Sequence, residues 1–106
     1  MAATVTFTGK SGKTYQYYLY PLWPSLQDKP GNYVFAHDDG KAISPKYFGE
    51  SQSLQDRCCD AHERRACAIS KGANCIGSHL SSSSADARRM EEQDLIGRYD
   101  PPCNRQ

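Results

Sequence analysis

Nothing in this chain of 106 residues is both long and apolar. No run of about 18 apolar residues is present, so no segment can cross a membrane as a helix. The opening MAATVTFTGK lacks the apolar stretch of a secretory signal. There is no excess of one charge either: Lys and Arg number 13 against 12 Asp and Glu, a net charge of +1. A protein that holds nucleic acid through bulk charge shows a larger basic surplus. Contact with a phosphate backbone would therefore use a few placed cations. The cysteines number 5, include the adjacent pair Cys58-Cys59, and contain no Cys-x-x-Cys pair. That pattern fits buried thiols in a reducing compartment better than a disulfide framework, so a cytoplasmic location is expected. No internal repeat is visible. The length allows a single domain over 1–106 with one modest core.

What is present reads as strands first and helices after. Thr4–Thr8 (TVTFT) and Thr14–Leu22 (TYQYYLYPL) are β-branched and aromatic, with Gly9-Lys10-Ser11-Gly12-Lys13 between them. This predicts a hairpin, followed by a proline-broken loop to residue 30. The GKSGKT run is not a phosphate loop, because Phe7 replaces the required glycine and a tyrosine-rich strand follows. Gly31–Ala36 is the next strand, His37-Asp38-Asp39-Gly40 its turn, and Lys41–Gly49 its partner, with Pro45 marking an edge position or a bulge. A helix is expected from a cap at Ser53, with an apolar stripe of Leu54, Cys58, Ala61, Ala68 and Ile69, closing at Gly72. Ala73–Gly77 is a short apolar strand. Ser83 with Asp86 caps a second helix to about Arg98, and Pro101-Pro102 stops it. The order predicts an α/β sandwich: a short mixed sheet flanked by helices, with an extra N-terminal hairpin.

The chemistry concentrates where the second hairpin enters the first helix. Tyr47 to Arg57 (YFGESQSLQDR) brings an aromatic hydroxyl, a glycine turn and a helical arginine close in sequence. A guanidinium matches phosphate with paired donors. Tyr33 lies on the neighbouring strand. Glu92 flanks the apolar pair Leu95-Ile96 of the second helix, where a carboxylate can hold one hard divalent cation with waters.

These residues, in this order, resemble a known family. Gly31-Asn32-Tyr33, Tyr47-Phe48-Gly49, Arg57, Glu92 and Asn104 look like the successive motifs of the GIY-YIG nuclease superfamily. The tail from Glu92 to Asn104 resembles that family's closing segment, in which a helical glutamate, an apolar pair, a proline and an asparagine recur. The likeness spans residues 31–104 and leaves the N-terminal hairpin outside. It implies a GIY-YIG-like core over 31–106 and a metal-dependent endonuclease that hydrolyses phosphodiester bonds of DNA, including branched or damaged DNA. It further implies that Glu92 ligates a single Mg²⁺ or Mn²⁺, that Arg57 clamps a phosphate oxygen, that Tyr33 or Tyr47 orients or deprotonates the attacking water, and that Asn104 ties the tail to the site.

Two positions depart from the family pattern. Asn32 stands where an apolar residue is usual, which is tolerable if its side chain points outward. The histidine often found one turn beyond the arginine is here Ala61. His62 is one residue later, and on a regular helix it would lie about 140° around from Arg57. His62 is thus the weakest of the candidate catalytic residues.

Simpler readings stand beside these. Tyr33 and Tyr47 could be ordinary strand aromatics, Arg57 a solvated partner of Asp60 or Glu63, and Arg64 a second phosphate contact or plain surface. Glu92 could pair with Arg88, an interaction worth about 0.2–0.5 kcal/mol when exposed. The same fold could also serve as a catalytically silent nucleic-acid-binding or protein-interaction module. A zinc-held domain using Cys58, Cys59, Cys67, Cys75 and His62 is disfavoured by the spacing. Specificity is left to the hairpin, a protein partner or a homodimer, since little of the chain lies outside the core.

Overall fold

The computed structural model of the chain describes residues 3–22, 26–57, 62–80 and 84–104, apart from the side chains of Asp56 and Arg57. Five strands, β1 (Ala3–Thr8), β2 (Thr14–Pro21), β3 (Gly31–Asp38), β4 (Ile43–Ser51) and β5 (Cys75–Leu80), form one sheet in the order β1-β2-β5-β3-β4. Every pairing is antiparallel. The expected mixed sheet is therefore corrected. The helical crossover does join strands of one direction, β4 and β5, but β3 lies between them.

β5 occupies the middle of the sheet, and its residues Cys75, Ile76, Gly77 and Ser78 are all buried. A strand covered on both faces needs no polar alternation, which is why it reads as a short apolar run. β4 is an edge strand, as Pro45 suggested. Tyr47 opposes Phe35 while Pro45 opposes Ala36, so Lys46 is the extra residue of a bulge.

The two faces carry separate cores. On one, Phe7, Tyr17, Leu19, Val34, Phe48 and Leu95 pack beneath α3 (Ala85–Tyr99). Phe7 sits at its centre, meeting Tyr17, Phe48 and Tyr99 edge-on at 5.4–5.5 Å. Ser84, not the expected Ser83, caps α3 by accepting from Ala87 N–H; Ser83 lies outside the described residues. On the other face, Tyr33, Phe35 and Ile76 pack with Leu26, Leu54, Ala68 and Cys103.

That second face is covered by α1 (Leu54–Arg57) and α2 (Arg65–Ser70), with His62 to Arg64 outside any helix. The single regular helix expected from Ser53 onward does not exist across these residues; Cys58 to Ala61 lie outside the described residues. The chain ends in a 3-10 turn, Pro102–Asn104. No helix among the described residues is long and apolar enough to cross a membrane.

The N-terminal hairpin is built into the molecule at both ends. β2 pairs with β5, and the β1–β2 turn rests on Asp94 of α3. Asp94 accepts from Ser11 N–H at 2.8 Å, Ser11 O–H at 2.7 Å and Tyr15 O–H at 2.8 Å, while its carbonyl accepts from Lys10 N–H at 3.0 Å. The Ser11 donors, more than any other group, hold the Asp94 carboxyl below its ordinary range. A Cβ on Gly9 would overlap that carboxylate. The glycines of GKSGKT thus serve a turn wrapped on a carboxylate.

Cys67 and Cys103 are joined by a disulfide that ties α2 to the 3-10 turn. This corrects the expectation that the cysteines are all packed thiols, and weakens the cysteine pattern as an argument for a reducing compartment. Only Cys75 among the described residues fits that expectation: it is buried, and burial, then Asp38, pushes its thiol up to about 11. Cys58 and Cys59 lie outside the described residues.

Two stability measurements follow from this packing. Gly9→Ala should cost about 1–3 kcal/mol in denaturant unfolding, and much less in an Asp94→Ala background; an equal cost in both backgrounds would remove the carboxylate as the cause. Cys103→Ser should cost about 2–4 kcal/mol, since closing 36 residues of separation is worth about 4 kcal/mol in chain entropy. An unchanged unfolding midpoint would exclude the cross-link.

Candidate functional site

The site is built around a strand pair with one side chain missing. Tyr33 on β3 opposes Gly49 on β4, and the tyrosine ring lies where a Gly49 Cβ would be. Its Cζ and Oη are the atoms such a Cβ would meet first. The glycine of Tyr47-Phe48-Gly49 is therefore a steric requirement, because it lets a buried tyrosine extend across the edge strand.

Tyr33 is 1% exposed and His62 6%. The Tyr33 hydroxyl lies 2.6 Å from His62 Nε2. The other ring nitrogen, Nδ1, accepts the backbone N–H of Arg64 at 2.9 Å. An Nδ1 that accepts carries no hydrogen, so the neutral ring has its hydrogen on Nε2 and donates it to the Tyr33 oxygen. Tyr47 completes the cluster. Its ring is 6.1 Å from Tyr33, 5.4 Å from His62 and stacked at 5.9 Å on Phe35. Tyr47 is only half-buried.

This corrects the reading of His62. The rotation argument assumed a regular helix through position 62, and His62 is not helical. Outside the helix its ring turns into the face of the sheet and meets both tyrosines. The sequence carried no periodic signal for this, because the apolar stripe runs on either side of the break.

Asn104 reaches the same edge from the tail. Its side-chain oxygen accepts Phe48 N–H at 2.8 Å and its amide donates to Phe48 C=O at 2.9 Å. It thereby satisfies one residue's worth of free backbone on the outer side of β4. Arg57 is the last residue of α1, and the placement of its side chain lies outside the described residues.

Glu92 belongs to α3, which covers the opposite face of the sheet. Its carboxyl is half-buried and its pKa is raised, first by burial and then by the Glu50 carboxylate. Glu50 directly follows Gly49, so Glu92 lies beside the same stretch of β4 as the tyrosine cluster but across the sheet from it. Arg88 does not pair with Glu92. It donates to Glu50 at 2.9 Å and is itself buried. Among the described residues no group of three or more His, Cys, Asp and Glu is placed to hold a metal. His62 and Cys67 are both engaged elsewhere, so neither is offered to zinc. A half-buried carboxylate whose ionisation is opposed by a second carboxylate instead suits one hard cation that keeps several waters.

Asn32 also differs from expectation. It is fully buried, not turned outward, and donates to the Arg88 carbonyl at 2.9 Å. Glu91 was overlooked. It is buried and accepts from Tyr17 O–H at 2.7 Å and from His79 Nδ1 at 2.9 Å. Its hydrogen bond raises the pKa of His79, and burial followed by its charge raises that of Tyr17. The signal existed, since positions 88, 91, 95 and 99 share one helix face at i, i+3 and i+4 spacing.

No protein-family profile matches the chain, and no curated protein does. Two solved structures do. Both are the GIY-YIG N-terminal endonuclease domain of UvrC from Thermotoga maritima, each a tyrosine-to-phenylalanine point mutant bound to its catalytic divalent cation. They are 23% and 21% identical to this chain, with a TM-score of 0.59, covering 76% of this chain and 87% of theirs. This chain has the GIY-YIG domain fold. The curled antiparallel sheet with its flanking helices matches that fold, as the order of motifs implied.

The tyrosine–histidine bond is directly testable. Tyr33→Phe should destabilise the chain by about 1–3 kcal/mol through loss of a buried acceptor, with a coupling energy to His62→Ala of about 0.5–3 kcal/mol. Nitrogen-15 chemical shifts should show His62 as the Nε2–H form; an Nδ1–H ring would overturn the assignment.

Proposed function

We propose that this chain is a divalent-metal-dependent endonuclease that hydrolyses DNA phosphodiester bonds in a single site. The observation that carries the reading is the Tyr33–His62–Tyr47 cluster, brought across Gly49 to the edge of β4 within a GIY-YIG fold. Fold alone would be analogy; the glycine passage and the oriented imidazole are particular chemistry.

Phosphodiester hydrolysis needs a water aligned with the leaving oxygen and a way to hold charge on the phosphoryl oxygens. Tyr47, the half-exposed tyrosine, has access to solvent and orients the attacking water. Tyr33 is buried and fixes the position of the cluster. The His62 ring, held by the Arg64 N–H, donates from Nε2 to the Tyr33 oxygen and so fixes the position of that hydroxyl. Arg57, ending the helical turn beside the site, holds a phosphate oxygen with paired donors. Glu92, which meets the same edge strand from the α3 side, would hold the divalent cation, Mg²⁺ or Mn²⁺, and a phosphate lying over the edge of β4 would face both that cation and Tyr47, the cation supplying charge neutralisation. Asn104 positions the edge of β4 next to Tyr47 and Gly49.

The decisive experiment compares wild type with Glu92→Gln on plasmid and branched DNA across several divalent metals. Cleavage should require metal and fall by about a thousandfold in the variant, the several kcal/mol that a lost metal site removes. Cleavage that persists in the variant and in EDTA would sink the proposal. Binding without cleavage under every metal would leave a nucleic-acid-binding module on the same fold.

A second readout does not depend on activity. Because the folded-state Glu92 pKa is raised, the stability linked to this group is fully present below the ordinary Glu range, about pH 4, and is lost as pH rises through the raised value. Metal-free Glu92→Gln should therefore melt at or above wild type at neutral pH, with the difference closing below about pH 4. Mg²⁺ should raise the melting temperature of wild type and not of the variant. A variant that melts well below wild type at neutral pH would show that Glu92 is structural.

A further inference from the structure

One row of register partners crosses four strands on the face that carries Tyr33. Tyr18 on β2 opposes Ser78 on β5, Ser78 opposes Tyr33 on β3, and Tyr33 opposes Gly49 on β4. Partners in a row point to the same side, so Tyr18 shares a surface with Tyr33 at a distance of two strand spacings, about 10 Å. That surface is hollowed. Tyr18, Tyr20, Ser78 and Leu80 rise from the sheet and, with Leu26 and Leu54, line a cavity of about 320 Å³. Tyr18 and Leu80 are 51% and 47% exposed, unusual for large side chains on a sheet face.

The four tyrosines of β2 divide by face. Tyr15 and Tyr17 point toward α3, and their hydroxyls are bonded to Asp94 and Glu91. Tyr18 and Tyr20 point into the cavity, and no hydrogen bond among the described residues engages their hydroxyls. Two tyrosines hold the hairpin in place and two are presented. Rings presented at i and i+2 on an open sheet face form a stacking platform for planar rings, and the cavity is at the small end of ligand sites. The cavity also adjoins the proposed active site. Leu54 at the start of α1 forms its wall, and Arg57 ends the same helical turn.

We infer that this cavity is a subsite for an unpaired nucleobase of the DNA strand being cut, stacked on Tyr18 and Tyr20. The inference rests on the nuclease reading and adds a substrate class to it: DNA with single-stranded or extruded nucleotides next to the cut. A paired base must first leave its stack to enter such a site, so continuous duplex is the poorer substrate. The hairpin, which carries none of the motifs of residues 31–104, is then the part of the chain that selects the substrate.

Binding tests this without catalysis. Fluorescence anisotropy of the full chain in EDTA, with a labelled oligothymidylate and a blunt duplex of equal length, should show tighter binding of the single strand. Tyr18→Ala should weaken single-strand binding by about five- to 150-fold, Tyr18→Phe should retain it, and duplex binding should change in neither. Leu80→Glu attacks the cavity from another strand and should also weaken single-strand binding, which keeps the test decisive if one variant folds poorly. Single-strand affinity unchanged in Tyr18→Ala and Leu80→Glu, with wild type still cleaving DNA, would overturn the subsite alone. Wild type that neither binds nor cleaves either substrate would overturn the nuclease reading and the subsite with it.

Discussion

The bare Cα of Gly49 is the constraint on which the tyrosine cluster depends. Any side chain there would occupy the space of the Tyr33 ring, and Tyr33 would have to leave its rotamer or push β4 away. Either movement separates Tyr33 from His62, whose ring is held from behind by the Arg64 N–H. It would also disturb the strand edge that Asn104 secures at Phe48. A sheet edge is normally a liability because its N–H and C=O groups are unpaired. Here the Asn104 amide secures the edge at Phe48 and the bulge at Lys46 bends it, and the polar groups of interest gather along it.

The opposite face is organised by an α-helix that turns charges inward. Arg88, Glu91 and Asp94 of α3 all face the sheet or its hairpin, and each has a partner there. Arg88 meets Glu50, Glu91 meets Tyr17 and His79, and Asp94 meets Ser11 and Tyr15. A buried charge without such partners would cost several kcal/mol, about 3–5 when one member of a pair is removed. The arrangement therefore gives little stability beyond an apolar face but fixes one register of helix on sheet. It also makes the N-terminal hairpin part of the core: Tyr15, Tyr17 and Ser11 supply the donors that two of these carboxylates need.

The strands were legible because alternation is a local signal. Tyr17 and Leu19 are buried while Gln16 and Tyr18 are exposed, as a period of two requires. The pairing of β5 was not legible, because a short apolar run does not say which neighbours it has. The helical segment misled for a different reason. In the sequence Leu54, Cys58, Ala61 and Ala68 share one helical phase, yet His62 to Arg64 are not helical, and a periodic pattern does not report such a break. The departure is favoured by a local competitor, the His62 side chain accepting the Arg64 N–H in place of a backbone carbonyl. Asn32 looked like a surface residue by type, but its amide answers the Arg88 carbonyl in the interior. In each case the missing information lay in a tertiary partner distant in sequence or in a side chain competing with the backbone.

The adjacent glutamates of α3 show how one fold separates two uses of the same residue. Glu91 is on the face that carries Leu95, and a carboxylate buried there must be satisfied; Tyr17 and His79 both donate to it. Glu92 is 100° further around the helix and comes up against Glu50, a like charge. Glu50 is already engaged by Arg88, which lessens the repulsion without removing it, since Glu92 is still pushed toward its protonated form. For a purely structural residue that would be a cost with no return, because Gln would fill the same space without charge. A divalent cation reverses the sign of the argument: two carboxylates that destabilise each other in its absence attract it together. The proposed metal role thus rests on Glu92 being poorly satisfied by the protein, and the structural role of Glu91 on its being fully satisfied. The motif singles out Glu92 of the pair, and the packing of α3 shows that Glu91 is engaged elsewhere.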